Sequence, residues 1–149
     1  MEWYRIPTKL IRLPRSQIVD LVLAQWAVMR AQVTVWIRPR GELLLMTSAT
    51  AGDDFGGSES RARALDLAVR RVVRFGLLRP QCLVRALALH RLLTRAGVRG
   101  SRVRIGVRLT ESEFSAHAWV VWGSTVLGDD LHRVGQFAAI TDGQAATRA

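Results

Sequence analysis

Few side chains in this sequence are equipped for covalent chemistry. There is one thiol, Cys82, and there are three imidazoles, His90, His117 and His132. A thiolate is a strong nucleophile once a positive environment stabilises it and a base removes its proton. Cys82 follows Pro80 by two residues, and proline favours the first turn of a helix. That places the thiol where unpaired amides and the positive end of the helix dipole gather, with Arg79 and Arg85 nearby. The structural alternative is a small hydrophobe in a core, a common fate of free cysteine. His90 lies eight residues further along the same helix, ~12 Å of rise away and beyond hydrogen-bond reach, so it reads as a packing or surface residue. His132 falls in a turn after the strands. His117 sits inside an apolar strand between Ala116 and Ala118, where small neighbours leave room for another element to approach.

A catalytic imidazole needs a third group to orient it, most simply from the neighbouring strand. A two-residue Gly123-Ser124 turn pairs Trp122 with Thr125 and sets His117 opposite Asp130. A three-residue loop beginning at Trp122 pairs Val121 with Thr125 and sets His117 opposite Asp129. On register alone both acids stay open, and either could be a solvated strand end.

The elements that must hold these residues can be read from periodicity. Ser16–Ile37 has a helical repeat in Ile18, Val22, Trp26, Met29, Val33 and Trp36/Ile37, with Ser16 as its cap. This apolar face is expected to be buried on the domain or on a partner. Asp20, Gln25, Arg30 and Gln32 within it argue against a bilayer span. A second helix, capped by Ser58 or Ser60, carries Ala62, Leu65, Val69, Val72 and Val73 on one face. A third runs from Pro80 to Ala96 and is closed by Gly97, with Leu83 and Leu87 on one line and Ala86, Leu89 and Leu93 beside it. The period then becomes two. Ser101–Leu109 alternates as a half-buried strand, and Ser115–Trp122 is apolar on both faces and more central. Gly123-Ser124 turns into a third strand, Thr125–Asp129. Helices followed by antiparallel strands make an α+β domain. The expected organisation is an N-terminal arm (1–46), a glycine-bearing acidic loop (47–60) and a core (61–149).

The sequence has 149 residues, 49% of them hydrophobic, enough for one domain with a real core. A single cysteine excludes an internal disulfide framework and a Cys-based zinc cluster. Met1–Pro14 lacks the apolar run of a secretory signal, so a cytoplasmic location is expected. The net charge is +10, and Arg61–Arg108 holds 13 arginines against one acid, Asp66. That band suits an anionic partner, or is simply a set of solvated helix faces.

Cys82–Val98 (CLVRALALHRLLTRAGV), Arg104–Leu109 (RIGVRL) and Phe114–Asp130 (FSAHAWVVWGSTVLGDD) resemble the transglutaminase-like leader peptidases of lasso-peptide biosynthesis. The family pattern is a Cys-Leu-x-Arg-Ser-Leu helix, a Gly-Val-Arg strand, and Ala-His-Ala-Trp-Val followed by an acid. The similarity covers residues 78–135, about 40% of the chain. Ala86 stands where the family has Ser, and Val121 where it commonly has Glu. The resemblance implies a transglutaminase/papain-like core with the Cys helix packed on an antiparallel sheet. It implies Cys82 as nucleophile, His117 as base and Asp129, 12 residues after His117, as the orienting acid, with Asp130 as alternate. The Cys82 amide and the Gln81 side chain are candidate oxyanion donors, and no metal or other cofactor is called for. The implied activity is removal of the leader from a ribosomally made precursor peptide. Its expected partners are that precursor, a small leader-recognition protein and the macrolactam-forming cyclase. Two other readings use the same residues differently. One keeps the triad but transfers the acyl group to an amine, as transglutaminases do. The other is a non-catalytic arginine-rich module that binds nucleic acid or protein, for which charge is the sole support and no nucleic-acid motif is seen.

Overall fold

The computed structural model describes residues 13–39, 42 and 55–140. Residues 1–12, 40–41 and 43–46 of the N-terminal arm and 47–54 of the acidic loop lie outside the described residues. The element order is α1 (Arg15–Ile37), α2 (Glu59–Phe75), α3 (Cys82–Arg95), β1 (Ser101–Leu109), β2 (Phe114–Trp122), β3 (Thr125–Leu127), α4 (Leu131–Val134) and β4 (Ala138–Ala139). The fold is α+β: helices packed against a four-stranded antiparallel sheet of order β3-β2-β1-β4. The short α4 and the edge strand β4 have no counterpart among the sequence expectations.

The hairpin forms because β1 and β2 alternate in register over nine pairs, from Ser101↔Trp122 to Leu109↔Phe114. α3 lies across β1 and β2 and buries Val84, Ala86, Leu87, Ala88, Leu89, Leu92 and Leu93, so both of its expected apolar lines face inward. α2 contributes Ala62, Leu65, Ala68, Val69 and Val72, and Ser58 caps it by accepting from the Arg61 amide. α3 begins at Cys82 rather than Pro80, with Gln81 at the cap position, which puts the thiol on the helix's first residue.

α1 differs from expectation in two ways. It starts one residue early, after Pro14, whose φ of −59° suits a helix entry, and Ser16 lies inside the first turn without a capping role. More consequentially, of the two expected covers for its apolar stripe the domain is not the one used, since the stripe faces outward: Val22 is 64% exposed, Trp26 55%, Trp36 74% and Ile37 76%. The buried face is instead Asp20, Ala24, Val28 and Ala31. Two alanines let the α1 backbone approach α2 and α3 closely, which the bulky stripe would prevent. Asp20 is accommodated because Arg61 donates to its carboxylate at 2.7 Å. By length and composition α1 is apolar enough to cross a membrane, but nearly a quarter of its 18-residue apolar window is buried inside the fold (22%).

Candidate active site

Cys82, half-buried at the start of α3, opens into a cleft of about 780 Å³. Its first-turn amides have no intrahelical acceptors and point toward the cleft end of the helix. Gln81, exposed at the cap position, makes no capping bond with its side chain, which leaves its amide group available. His117 on β2 lines the same cleft, flanked by Ala116 and Ala118. The sheet thus carries the imidazole to the helix's positive end. Arg79 also lines the cleft, whereas Arg85 turns away to donate to the Gly128 carbonyl at 2.8 Å. No three His, Cys, Asp or Glu side chains among the described residues form a metal-binding group.

The His117 ring is buried between Trp119 and Phe137, with centroids 6.1 and 5.1 Å away. Its Nε2 lies 2.5 Å from Asp129 Oδ2, and both side chains are nearly shielded from water (6% and 8% exposed). Burial pushes the Asp129 carboxyl upward. The hydrogen bonds from the Asp130 amide and from His117, with the positive charges of His117 and Arg133, outweigh it and hold Asp129 below the usual carboxylate range. An ionised Asp129 is an acceptor only, so Nε2 carries the proton of this bond and Nδ1 is the ring nitrogen left to exchange a proton. Nδ1 has no hydrogen-bond partner among the described residues.

The hairpin resolves the question of which acid reaches His117, against simple register counting. The turn is the two-residue one, since Trp122 pairs with Thr125 and Val120 with Leu127. Extended three more residues, that ladder would set His117 opposite Asp130. The third strand instead stops at Leu127, short of the expected Asp129, because Gly128 adopts φ +80°. The chain swings inward and Asp129 meets His117. Asp130 caps α4 by accepting from the His132 amide at 3.0 Å, and its own amide donates to Asp129 Oδ1 at 2.8 Å.

This loop is held by two helices. Asp66 on α2 accepts from the Gly128 amide at 2.7 Å, and Arg70 donates to the Asp129 carbonyl at 2.9 Å while also pairing with Asp66. With Arg85, three side chains fix the three successive peptide units that aim Asp129. Sequence reading missed Asp66 and Arg70. The signal was present, in that Asp66 is the lone acid in the arginine band and sits four residues before Arg70. The α1 wall of the cleft, formed by Gln32, Val35 and Trp36, was also missed.

The other histidines stand apart. His90 Nδ1 is 2.9 Å from Ser101 Oγ, and burial together with Arg91 lowers its pKa. His132 is exposed on α4.

A thiol on the first residue of a helix, facing a carboxylate-bound imidazole across a cleft, is equipped to attack a carbonyl carbon. Comparison with curated proteins and with solved structures finds no match. Residues 18–142, most of the chain, match the transglutaminase-like superfamily, whose fold serves cysteine-protease and acyl-transfer chemistry. The chain therefore belongs to the transglutaminase-like superfamily.

Proposed function

We propose that the protein is a cysteine peptidase that removes the leader from a ribosomally made lasso-peptide precursor. The observation that carries the reading is the buried His117–Asp129 pair lining the same cleft as Cys82 at the start of α3. The superfamily commonly uses a catalytic cysteine, and the motifs around Cys82, Gly106 and His117 follow the leader-peptidase pattern.

In this reading His117 Nδ1 takes the Cys82 proton and the thiolate attacks the carbonyl at the leader–core junction. The C–S bond forms as the carbonyl π pair moves to oxygen. The Cys82 amide and the Gln81 side chain donate to that oxyanion. Collapse expels the core's amine, which takes the proton from His117. Water, deprotonated by His117, then releases the leader's carboxylate and restores the thiol. Asp129 holds Nε2–H throughout and so fixes the ring's tautomer. The reaction belongs in the cytoplasm, with the precursor and a leader-recognition protein as partners and the cyclase as consumer of the released core.

The test is incubation of purified protein, with and without a leader-recognition protein, with a precursor peptide, followed by mass spectrometry. Cleavage should be lost in folded Cys82→Ala and His117→Ala. Cleavage retained by Cys82→Ala would end the reading. Superfamily membership favours acyl transfer as the second reading. A product joined to an added amine, rather than a free leader carboxylate, would establish it.

A further inference from the structure

A second concavity, of about 900 Å³, lies on the far side of α1 from the Cys82 cleft, between α1, the start of α2 and the C-terminal half of α3. Five arginines line it: Arg30, Arg38, Arg61, Arg91 and Arg95. Two of these are answered by acids, Arg61 by Asp20 and Arg38 by Glu42. Among the described residues Arg91 donates to the Thr34 hydroxyl alone, at 3.2 Å. Arg30 and Arg95 have no ion-pair partner among the described residues. Three guanidinium groups therefore share one hollow without a carboxylate of their own among the described residues. Burial, then repulsion from Arg30 and Arg38, depresses the Arg91 pKa from its ordinary value. The groove also has an apolar side. Leu65 and Leu92 form part of its lining from the core, while Leu23 (43% exposed) and Trp26 (55%) stand at its rim.

We propose that this groove is a docking site for an acidic polypeptide segment that also carries apolar side chains. Unanswered arginines on the walls call for carboxylates, which they grip as bidentate forks. The apolar lining calls for aliphatic or aromatic side chains between those acids. A nucleic-acid backbone satisfies the first demand but leaves the second unmet. Single-strand binding surfaces use several aromatic platforms in series, whereas the described lining of this groove offers Trp26 and the His90 ring, the latter half-buried and hydrogen-bonded to Ser101. The inference rests on the groove alone and does not depend on the peptidase reading.

The probe is a fluorescein-labelled twelve-residue peptide of alternating glutamate and leucine, titrated with the full chain and read by anisotropy. A labelled single-stranded oligonucleotide of equal charge runs alongside. Arg30→Gln with Arg95→Gln removes two groove charges. Arg63→Gln with Arg74→Gln removes two exposed charges from α2 outside it. The peptide should saturate at one site, bind more tightly than the oligonucleotide, and weaken as salt rises. The groove pair should weaken it about ten-fold and the control pair less than two-fold. Circular dichroism checks that both pairs are folded, and Arg95→Gln alone, at the exposed end of α3, provides a second, milder perturbation. Equal weakening by both pairs reduces the effect to bulk charge and overturns the proposal. Tighter binding of the oligonucleotide at the groove, or no saturable peptide binding, also overturns it.

Discussion

Asp66→Ala is the most informative perturbation away from the cleft itself. The carboxylate is 15% exposed and accepts the Gly128 amide at 2.7 Å, while both its oxygens lie 3.1 Å from Arg70 Nε. Removing a charged acceptor from a part-buried amide costs about 1.5–3 kcal/mol. The Arg70 pair adds less than about 1 kcal/mol, because Arg70 is 43% exposed and screened by solvent. Alanine's better helix propensity returns roughly 0.5 kcal/mol. The net loss should be about 2 kcal/mol, or ~4–8 °C in Tm for a domain of this size. Urea unfolding measures the first quantity and a thermal scan the second. The loop should also loosen, so that Asp129 no longer holds His117 in place. The rate of Cys82 alkylation by iodoacetamide should then fall toward that of His117→Ala, since the thiol loses its aligned imidazole. Asp66→Asn keeps an oxygen for the Gly128 amide and should lie between the two. Asp66→Ala within about 0.5 kcal/mol of wild type, with unchanged alkylation, would refute the clamp.

Three further outcomes can be checked by unfolding experiments. Gly106 faces His117 across the β1–β2 ladder, and a Cβ there would stand 2.7 Å from the Trp119 ring and 2.9 Å from Phe137 Cβ. Gly106→Ala should therefore cost about 1–3 kcal/mol by overpacking, and should disturb the two rings that flank His117; stability equal to wild type would count against that contact. Asp129 has a depressed folded pKa, so its contribution is present above the ordinary carboxylate range and lost as pH falls through the folded value. The stability gap between wild type and Asp129→Asn should accordingly close in acid, and a gap constant down to about pH 2.5 would contradict it. His90 is also depressed, but as a base: the unfolded chain takes its proton first, so stability should fall as pH drops through about 6.5 and on toward the folded value. His90→Asn should remove that segment of the pH dependence, which urea titrations between pH 8 and 5 would reveal.

Much of this arrangement is legible in the sequence. The strands announced themselves because Val103, Ile105 and Val107 alternate with Arg102, Arg104 and Arg108, a period no helix tolerates. α3 was readable from Pro80 and from two parallel apolar lines. α1 was readable as a helix but not in its orientation. Spacing reports that a stripe exists, whereas burial is decided by which face fits its neighbours. Ala24 and Ala31 fit closely against α2 and α3, and Asp20 found Arg61, a partner 41 positions away that periodicity does not encode. Asp66 was hidden for the same reason, since its contact with Gly128 spans 62 positions.

The Asp129–Asp130 pair shows why register arithmetic, which leaves both turns and both acids open, does not reach past the end of the strand. Pairing rules hold only while the chain remains a strand, and Gly128 ends that condition one residue before the acid that matters. Past it, hydrogen bonding decides position. Gly128 is gripped at its amide by Asp66 and at its carbonyl by Arg85, which aims the next side chain inward. Asp130 then has no route to the imidazole and is used for α4, where its carboxylate meets the unpaired amide of His132. The two acids are also linked, because the Asp130 amide holds the Asp129 oxygen that His117 does not. Asp129 thus has each oxygen committed to a separate donor, which fixes its rotation as well as its charge. Asp130→Ala leaves that amide in place but frees the first turn of α4. It should therefore cost about 1 kcal/mol, the usual value of a lost N-cap, while leaving Cys82 alkylation close to wild type; Asp129→Ala should do the reverse to the thiol. If both variants slowed alkylation equally, the loop would be acting as one unit rather than as an acid and its cap.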